Sequence, residues 1–196
     1  MKKFLVEISA RHIHLSQEHL DVLFGKGHIL TNKKNLSQPG QYACEEKVTV
    51  KGPKGEYTMS VLGPVRPVTQ VEISFTDARA LGLKAPLRES GDIKGSIGAT
   101  LVGPNGSVTL DEGVIVAKRH IHLTPADATV HNVTNGEVVN VAIESEGRSL
   151  VFKDTVVRVR EDFAEAMHID TDEANACGIS GSAMGYIVKQ LFFKDN

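Results

Sequence analysis

Apolar and polar residues alternate with a period of two along much of the chain, and the alternating runs are short. Lys47 to Lys51 and Glu56 to Leu62 flank Gly52-Pro53-Lys54-Gly55, and Ala99 to Val102 and Ser107 to Leu110 flank Gly103-Pro104-Asn105-Gly106. Successive side chains of a strand face opposite ways, so these runs predict hairpins with one buried face. Val138 to Ile143, Ser149 to Phe152 and Thr155 to Arg160 predict a further meander, with Glu146-Gly147 in its first turn. Helical spacing is confined to brief stretches. Ser16 opens one that runs to about Phe24. Thr124-Pro125-Ala126-Asp127 opens another, with a hydroxyl cap, a proline in the first turn and an acid three residues after the cap. Thr76 to Leu81 and Asp172 to Cys177 predict two more, ended by Gly82 and Gly178. Lys26 to Gly40 is polar with Lys33-Lys34 at its middle, and is expected to be a surface loop able to contact a ligand.

The chain also repeats itself. Arg11-His12-Ile13-His14-Leu15-Ser16 recurs as Arg119-His120-Ile121-His122-Leu123-Thr124, a shift of 108 residues (12 to 120) in a chain of 196. Upstream, Val6 and Ile8 align with Val114 and Val116. A looser echo sets Val71-Glu72-Ile73-Ser74 against Met167-His168-Ile169-Asp170. Phe75 counted as one inserted residue then brings Thr76-Asp77 onto Thr171-Asp172. A repeat near half-length predicts two pseudo-equivalent domains, 11–112 and 113–196. With the strand pattern, the expected fold is mainly β: two small antiparallel β-barrel domains with a few short helices. No Gly-rich phosphate loop or dinucleotide fingerprint interrupts that pattern.

Composition narrows the partners. A net charge of -2 and 5% aromatic residues with no Trp argue against nucleic acid. No stretch approaches the ~20 apolar residues needed to cross a bilayer, so no membrane partner is expected. Met1-Lys2-Lys3 leads into too short an apolar run for a signal peptide, which points to the cytoplasm. Cys44 and Cys177 do not make a disulfide framework there and are expected to be free thiols, most simply read as small buried hydrophobes.

The eight histidines change the picture. Residues i and i+2 of a strand share a face, so His12 projects with His14, and His120 with His122. Two adjacent imidazoles can chelate one divalent ion at Zn–N distances near ~2.0 Å. The repeat offers a third ligand for each pair, Glu72 and His168. Three protein ligands per ion are the pattern of catalytic rather than closed structural zinc. Alternation sends Arg11 and Arg119 to the opposite face, where they would not repel a cation. His19, His28 and His131 have no such pairing and are expected at the surface or in caps. Glu18 offers a rival ligand, since His12-x-His14-x₃-Glu18 matches cupin metal spacing, although the second copy has Ala126 there. A cupin-like single-metal oxygenase or isomerase is therefore one alternative, and a non-catalytic metal-binding scaffold another.

Taken together, longer motifs carry a resemblance. The two Arg-His-Ile-His-Leu segments, Gly63-Pro64-Val65-Arg66, Thr69-Gln70-Val71-Glu72-Ile73-Ser74, Arg88-Glu89-Ser90-Gly91-Asp92 and Met167 to Ala176 occur in order. Over about Val6 to Tyr186 the chain resembles the PduL-type phosphotransacylases, the phosphate propanoyltransferases linked to propanediol utilisation. The resemblance implies interconversion of a short-chain acyl-CoA plus phosphate with acyl phosphate plus CoA, by direct transfer. It implies two zinc ions per chain, one held by His12, His14 and Glu72 and the other by His120, His122 and His168. It places Arg66 at the phosphate and Lys34 and Asn175 near coenzyme A. It further implies two β-barrels, a homodimer, and a first strand, residues 1–10, that joins the C-terminal barrel. Members packaged in bacterial microcompartments carry an N-terminal helical extension. Only ten residues precede Arg11 here and they read as a strand, which favours a free cytoplasmic enzyme.

Overall fold

The structure is a computed structural model and describes residues 2–188. The fold is mainly β, with four short helices among the described residues. The chain divides into two compact units, Ala10–Ala117 and a second made of Met1–Ser9 with Lys118–Asn196.

In the unit Ala10–Ala117 the strands follow the order Leu87–Arg88, Val114–Ala117, Gln70–Glu72, His12–His14, Glu56–Gly63, Tyr42–Lys51, Thr100–Val102 and Ser107–Thr109. Asn32–Asn35 adds to the outer side of Tyr42–Lys51. The long strand Tyr42–Lys51 shows why the sequence folds this way: Cys44, Glu46, Val48 and Val50 are buried, and Glu45, Lys47 and Lys51 between or beside them are exposed. Its hairpin partner is Glu56–Gly63, and Thr100–Val102 pairs with Ser107–Thr109, as the two Gly-Pro turns predict. The core includes Ile13, Leu15, Leu20, Leu23, Val48, Val61, Val71 and Leu101.

The other unit is a closed six-stranded barrel. Around it run Phe4–Ile8, Ala166–Ile169, His120–Leu123, Leu150–Val159, Val138–Ile143 and Ser182–Val188, which pairs back with Phe4–Ile8. Phe4, Val6, Ile121, Leu123, Val141, Val157, Met167 and Ile169 fill it.

The two sheets share one local plan. In each, the histidine strand lies between an antiparallel strand carrying the candidate third ligand and a parallel strand. His12–His14 sits between Gln70–Glu72 and Glu56–Gly63, and His120–Leu123 between Ala166–Ile169 and Leu150–Val159. On the far side of each third-ligand strand lies another parallel strand. Val6 pairs with Met167 in one case, and Val114 with Val71 in the other. Both sheets are thus mixed, because these added strands run with their neighbours. Phe4–Ile8 precedes the first histidine strand in sequence but pairs inside the second unit. Val114–Ala117 precedes the second histidine strand but pairs inside the first.

Several local expectations need correction. The expected loop from Lys26 to Gly40 contains the strand Asn32–Asn35, whose residues are all exposed and therefore carry no alternation. His28 Nε2 and the Thr31 amide anchor this segment on the buried Glu46 carboxylate, at 2.8 and 3.0 Å. Ser149 to Phe152 and Thr155 to Arg160 are one strand, Leu150–Val159, interrupted by a register shift opposite Val139–Val141 and by Asp154 at φ 55. His131 is buried, with Nε2 2.6 Å from Glu165. Helices Phe75–Leu81 and Thr171–Ala176 begin one residue earlier than expected, with Ser74 and Asp170 as their caps. Glu72 and His168, the two caps, and Asp77 and Glu173 therefore correspond at one constant shift, and Phe75 is not an insertion.

Candidate metal centres

Each histidine pair is set by two residues of a short strand and closed by the residue directly across the antiparallel ladder. His12 pairs with Glu72 and His120 with His168. The His12 and His14 rings are 5.0 Å apart. His12 Nε2 is 3.5 Å from Glu72 Oε2. Among the described residues, His12, His14 and Glu72 form a group whose ligand atoms all lie within 4.8 Å of one another. All three are buried. In the barrel the centroids of His120 and His122 are 4.7 Å apart, those of His120 and His168 5.3 Å, and those of His122 and His168 5.1 Å.

Ring orientation follows the same rule in both units. His12 Nδ1 donates to the Ala10 carbonyl and His120 Nδ1 to the Lys118 carbonyl, each at 2.8 Å and each two residues back. A backbone acceptor on Nδ1 fixes the tautomer that offers the Nε2 lone pair to a cation. His14 Nδ1 faces the Leu62 carbonyl at 3.3 Å. In the barrel, His122 Nδ1 is buried with no hydrogen-bond partner, and the ring packs 4.1 Å from Phe163. Burial, with His12 and then Arg66 beside it, holds His14 well below the ordinary imidazole range. Burial, then His120 and His168, pushes His122 down to about 2. Both are therefore neutral near pH 7, the form that ligates. Two imidazoles with a carboxylate fit zinc or a similar borderline cation, and their ligand atoms converge; the three imidazoles of the barrel supply a donor set of the same kind, but their ligand atoms do not draw together within 4.8 Å as those of the first group do.

Gln70 and Ser90 fix the Glu72 carboxylate, and sequence reasoning gave neither a role. Gln70 Nε2 and Ser90 Oγ each donate to Glu72 Oε1 at 2.6 Å, leaving Oε2 toward His12. Gln70 is itself held by the Gly91 amide, which donates to its Oε1 at 2.8 Å. The signal for Gln70 was its i, i+2 spacing from Glu72, which puts both on one face. Ser90 arrives from a separate loop, which no local periodicity reports. Across the barrel's ladder, Ala166 faces His122 where Gln70 faces His14, so the barrel has no glutamine at the matching place; there Glu7 Oε2 lies 4.0 Å from His168 Nδ1.

Arg66 is half-buried, and its amide donates to the Leu15 carbonyl, one residue past His14, at 2.9 Å. Its positive charge lies near enough to depress the His14 imidazole. The segment behind it is pinned by Thr69, whose Oγ1 accepts from the Ser16 amide at 2.9 Å and lies 2.8 Å from His19 Nδ1. Lys34 is exposed. It pairs with Ala43, which pairs with Leu62, so it lies three strands across from His14, roughly 14 Å at strand spacing. Asn175 is exposed on the helix Thr171–Ala176 of the other unit. Glu18 is exposed in the first turn of the helix Gln17–Phe24, and the carboxylate that meets the first histidine pair is Glu72. Both cysteines are buried free thiols, and burial pushes Cys44 up to about 11 and raises Cys177.

The class that this fold and sequence define is the phosphate acyltransferases. The phosphate propanoyltransferase family model matches residues 5–180. Relatives named phosphate propanoyltransferase include one from Enterococcus faecalis, 54% identical over 95% of this chain and 88% of its own length. Another, from Listeria monocytogenes, is 54% identical over 94% of this chain and 87% of its own. A third, from Thermotoga maritima, is 52% identical over 94% and 89%. The chain belongs to the phosphate propanoyltransferase family.

Proposed function

We propose that this enzyme interconverts a short-chain acyl-CoA and phosphate with an acyl phosphate and free CoA, using one zinc ion in each unit. The observation that carries the two-metal reading is the ladder register, which sets Glu72 against His12 and His168 against His120. His12, His14 and Glu72 would hold one ion, and His120, His122 and His168 the other. Bound zinc supplies Lewis acidity for a thioester carbonyl, a phosphate oxygen or a departing thiolate.

The chain's own groups support the rest. Arg66 offers a planar fork for two phosphate oxygens and restricts how the nucleophile approaches the acyl carbon. Gln70 and Ser90 keep the Glu72 carboxylate aimed at His12. Neither thiol is available as a covalent carrier, since both are buried and held protonated at neutral pH. The proposed route is direct transfer: a phosphate oxygen bonds to the acyl carbon, the C–S bond breaks, and the sulfur leaves with its electron pair. Lys34 and Asn175 are proposed as contacts for coenzyme A. A homodimer and a cytoplasmic location belong to the same reading. Among the described residues, no helix is long and apolar enough to cross a membrane.

One experiment tests this. Zinc content is measured beside thiol release from acetyl- and propanoyl-CoA with and without phosphate. Two ions and phosphate-dependent release are expected. One metal and no release would favour a cupin-like enzyme, and two metals with no release a binding scaffold. Paired variants separate the ions: His12→Ala with His14→Ala loses one, and His120→Ala with His122→Ala the other.

A further inference from the structure

We infer that Arg11 and Arg119 are positioning residues for the metal ligands, each locking the third-ligand strand to the histidine strand of its unit. The inference rests on the two-zinc reading above.

Arg11 stands immediately before His12. Its Nη2 and Nε meet Asp77 Oδ1 at 2.7 and 3.0 Å. Asp77 lies five residues after Glu72, in the first turn of the helix Phe75–Leu81, and is buried. The guanidinium also lies 4.3 Å from the Tyr57 ring centroid, on the strand that flanks His12–His14 from the other side. One side chain thus joins the strand bearing both histidines, the segment leaving Glu72, and the neighbouring parallel strand.

The second unit repeats the device. Arg119 stands immediately before His120 and pairs with Glu173, five residues after His168. Its guanidinium lies 5.3 Å from the ring of Phe152, on the parallel strand Leu150–Val159.

Helix capping alone does not account for the pairing. In each capping box one carboxylate oxygen accepts from the cap amide: Asp77 Oδ2 from Ser74 at 3.3 Å, and Glu173 Oε2 from Asp170 at 3.0 Å. The other oxygen goes to the arginine in both units. The partnership survives a change of acid from Asp to Glu, so the contact is kept while the length of the side chain is not.

The physical need is clear from the ladders. Gln70–Glu72 and His12–His14 pair over three residues only. So short a ladder fixes the register of the two strands with few hydrogen bonds, while a metal tolerates only ~0.2 Å in its ligand distances. A charge-assisted contact beside the ligand row removes that freedom.

The test is zinc affinity at each site, by chelator competition on the full chain. Arg11→Gln is expected to weaken the ion of His12, His14 and Glu72 about 10-fold to 100-fold, the range for losing an outer partner of a ligand. The ion of the barrel should be unchanged. Arg119→Gln should do the reverse. Asp77→Asn should match Arg11→Gln, and the double variant should be no worse than either. Arg11→Lys, which keeps charge but not the fork, should recover part of the loss and guards against a variant that fails to fold. A cap or a surface ion pair would lower the melting temperature without this site selectivity. Affinities within twofold of wild type in a folded Arg11→Gln chain, or in Asp77→Asn where Arg11→Gln does not fold, would overturn the inference and leave the two-zinc reading standing. A wild-type chain holding fewer than two ions would overturn that reading first, and this inference with it.

Discussion

At the scale of the residue, the first candidate metal centre is held by hydrogen bonds that sit outside its three candidate ligands. Glu72 Oε1 accepts from two donors, Gln70 and Ser90, and this leaves Oε2 for the histidine side. Ser90→Ala removes one donor without touching a ligand. It should weaken zinc in that unit about 10-fold and leave the barrel's ion unchanged, as read by chelator competition. Arg66 makes a different prediction, because its proposed partner is phosphate rather than metal. Arg66→Ala should keep two zinc ions but lose on the order of 100-fold or more of phosphate-dependent turnover, the scale for one charge-stabilising donor. Arg66→Lys should restore only part, since a point charge lacks the fork. Steady-state kinetics at varied phosphate, with zinc assayed in the same samples, decides the matter; a near-wild-type rate in Arg66→Ala sinks the assignment.

At the scale of the element, turns and helix ends are packed against one another, and one contact leaves no space. The turn Gly52-Pro53-Lys54-Gly55 rests on the end of the helix Phe75–Leu81, where the Lys54 amide donates to the Leu81 carbonyl at 3.0 Å. A Cβ at Gly52 would fall 2.2 Å from that carbonyl oxygen. Gly52→Ala should therefore cost about 1–3 kcal/mol, seen as a lower urea midpoint at unchanged slope. An unchanged midpoint would contradict the contact. Legibility also varied by element. Hairpins and helix caps were readable because each is written in consecutive residues: a Gly-Pro turn between alternating runs, or a hydroxyl with an acid three places on. The histidine pairs and the residues that face them across the ladder, Glu72 and His168, were readable because the repeat printed the pattern twice. Asn32–Asn35 was not, since an edge strand exposed throughout has no buried face to mark it. Phe75 misled the alignment because Thr-Asp occurs in both halves, whereas the chain aligns the caps Ser74 and Asp170.

At the scale of the whole molecule, each unit buries neutral histidine, and this ties stability to pH when metal is removed. The free imidazole takes a proton below about 6.5, but folded His122 only near 2. Between those values the unfolded chain binds more protons, so stability falls as pH falls. From pH 7 to 5 the loss is about 2 kcal/mol for this one residue. Urea unfolding of chelator-treated protein at pH 7 and pH 5 should show it, and His122→Gln should make the profile shallower, with His14 keeping the remainder. An equal drop in wild type and variant would show that His122 is not responsible. Which strand joins which sheet was the least legible feature of all. Val6 and Val114 occupy matching places in the repeat, and nothing near either says that its neighbours will be Met167 and Val71. That choice is made by partners about 160 and 40 residues away, where periodicity carries no information.

The pairing of Leu5 with Ala166 has a consequence for synthesis. A chain leaving the ribosome presents Phe4–Ile8 about 160 residues before the strands it pairs with, Ala166–Ile169 and Ser182–Val188. At ~10 residues per second, the apolar run Phe4-Leu5-Val6 waits roughly 15 s with its edge groups unpaired. During that interval the nascent segment is a target for chaperones and for the same segment on neighbouring polysomal chains. The barrel therefore closes only after Ala166–Ile169 and Ser182–Val188 have emerged, and His168, which lies beside that strand, takes its place only then.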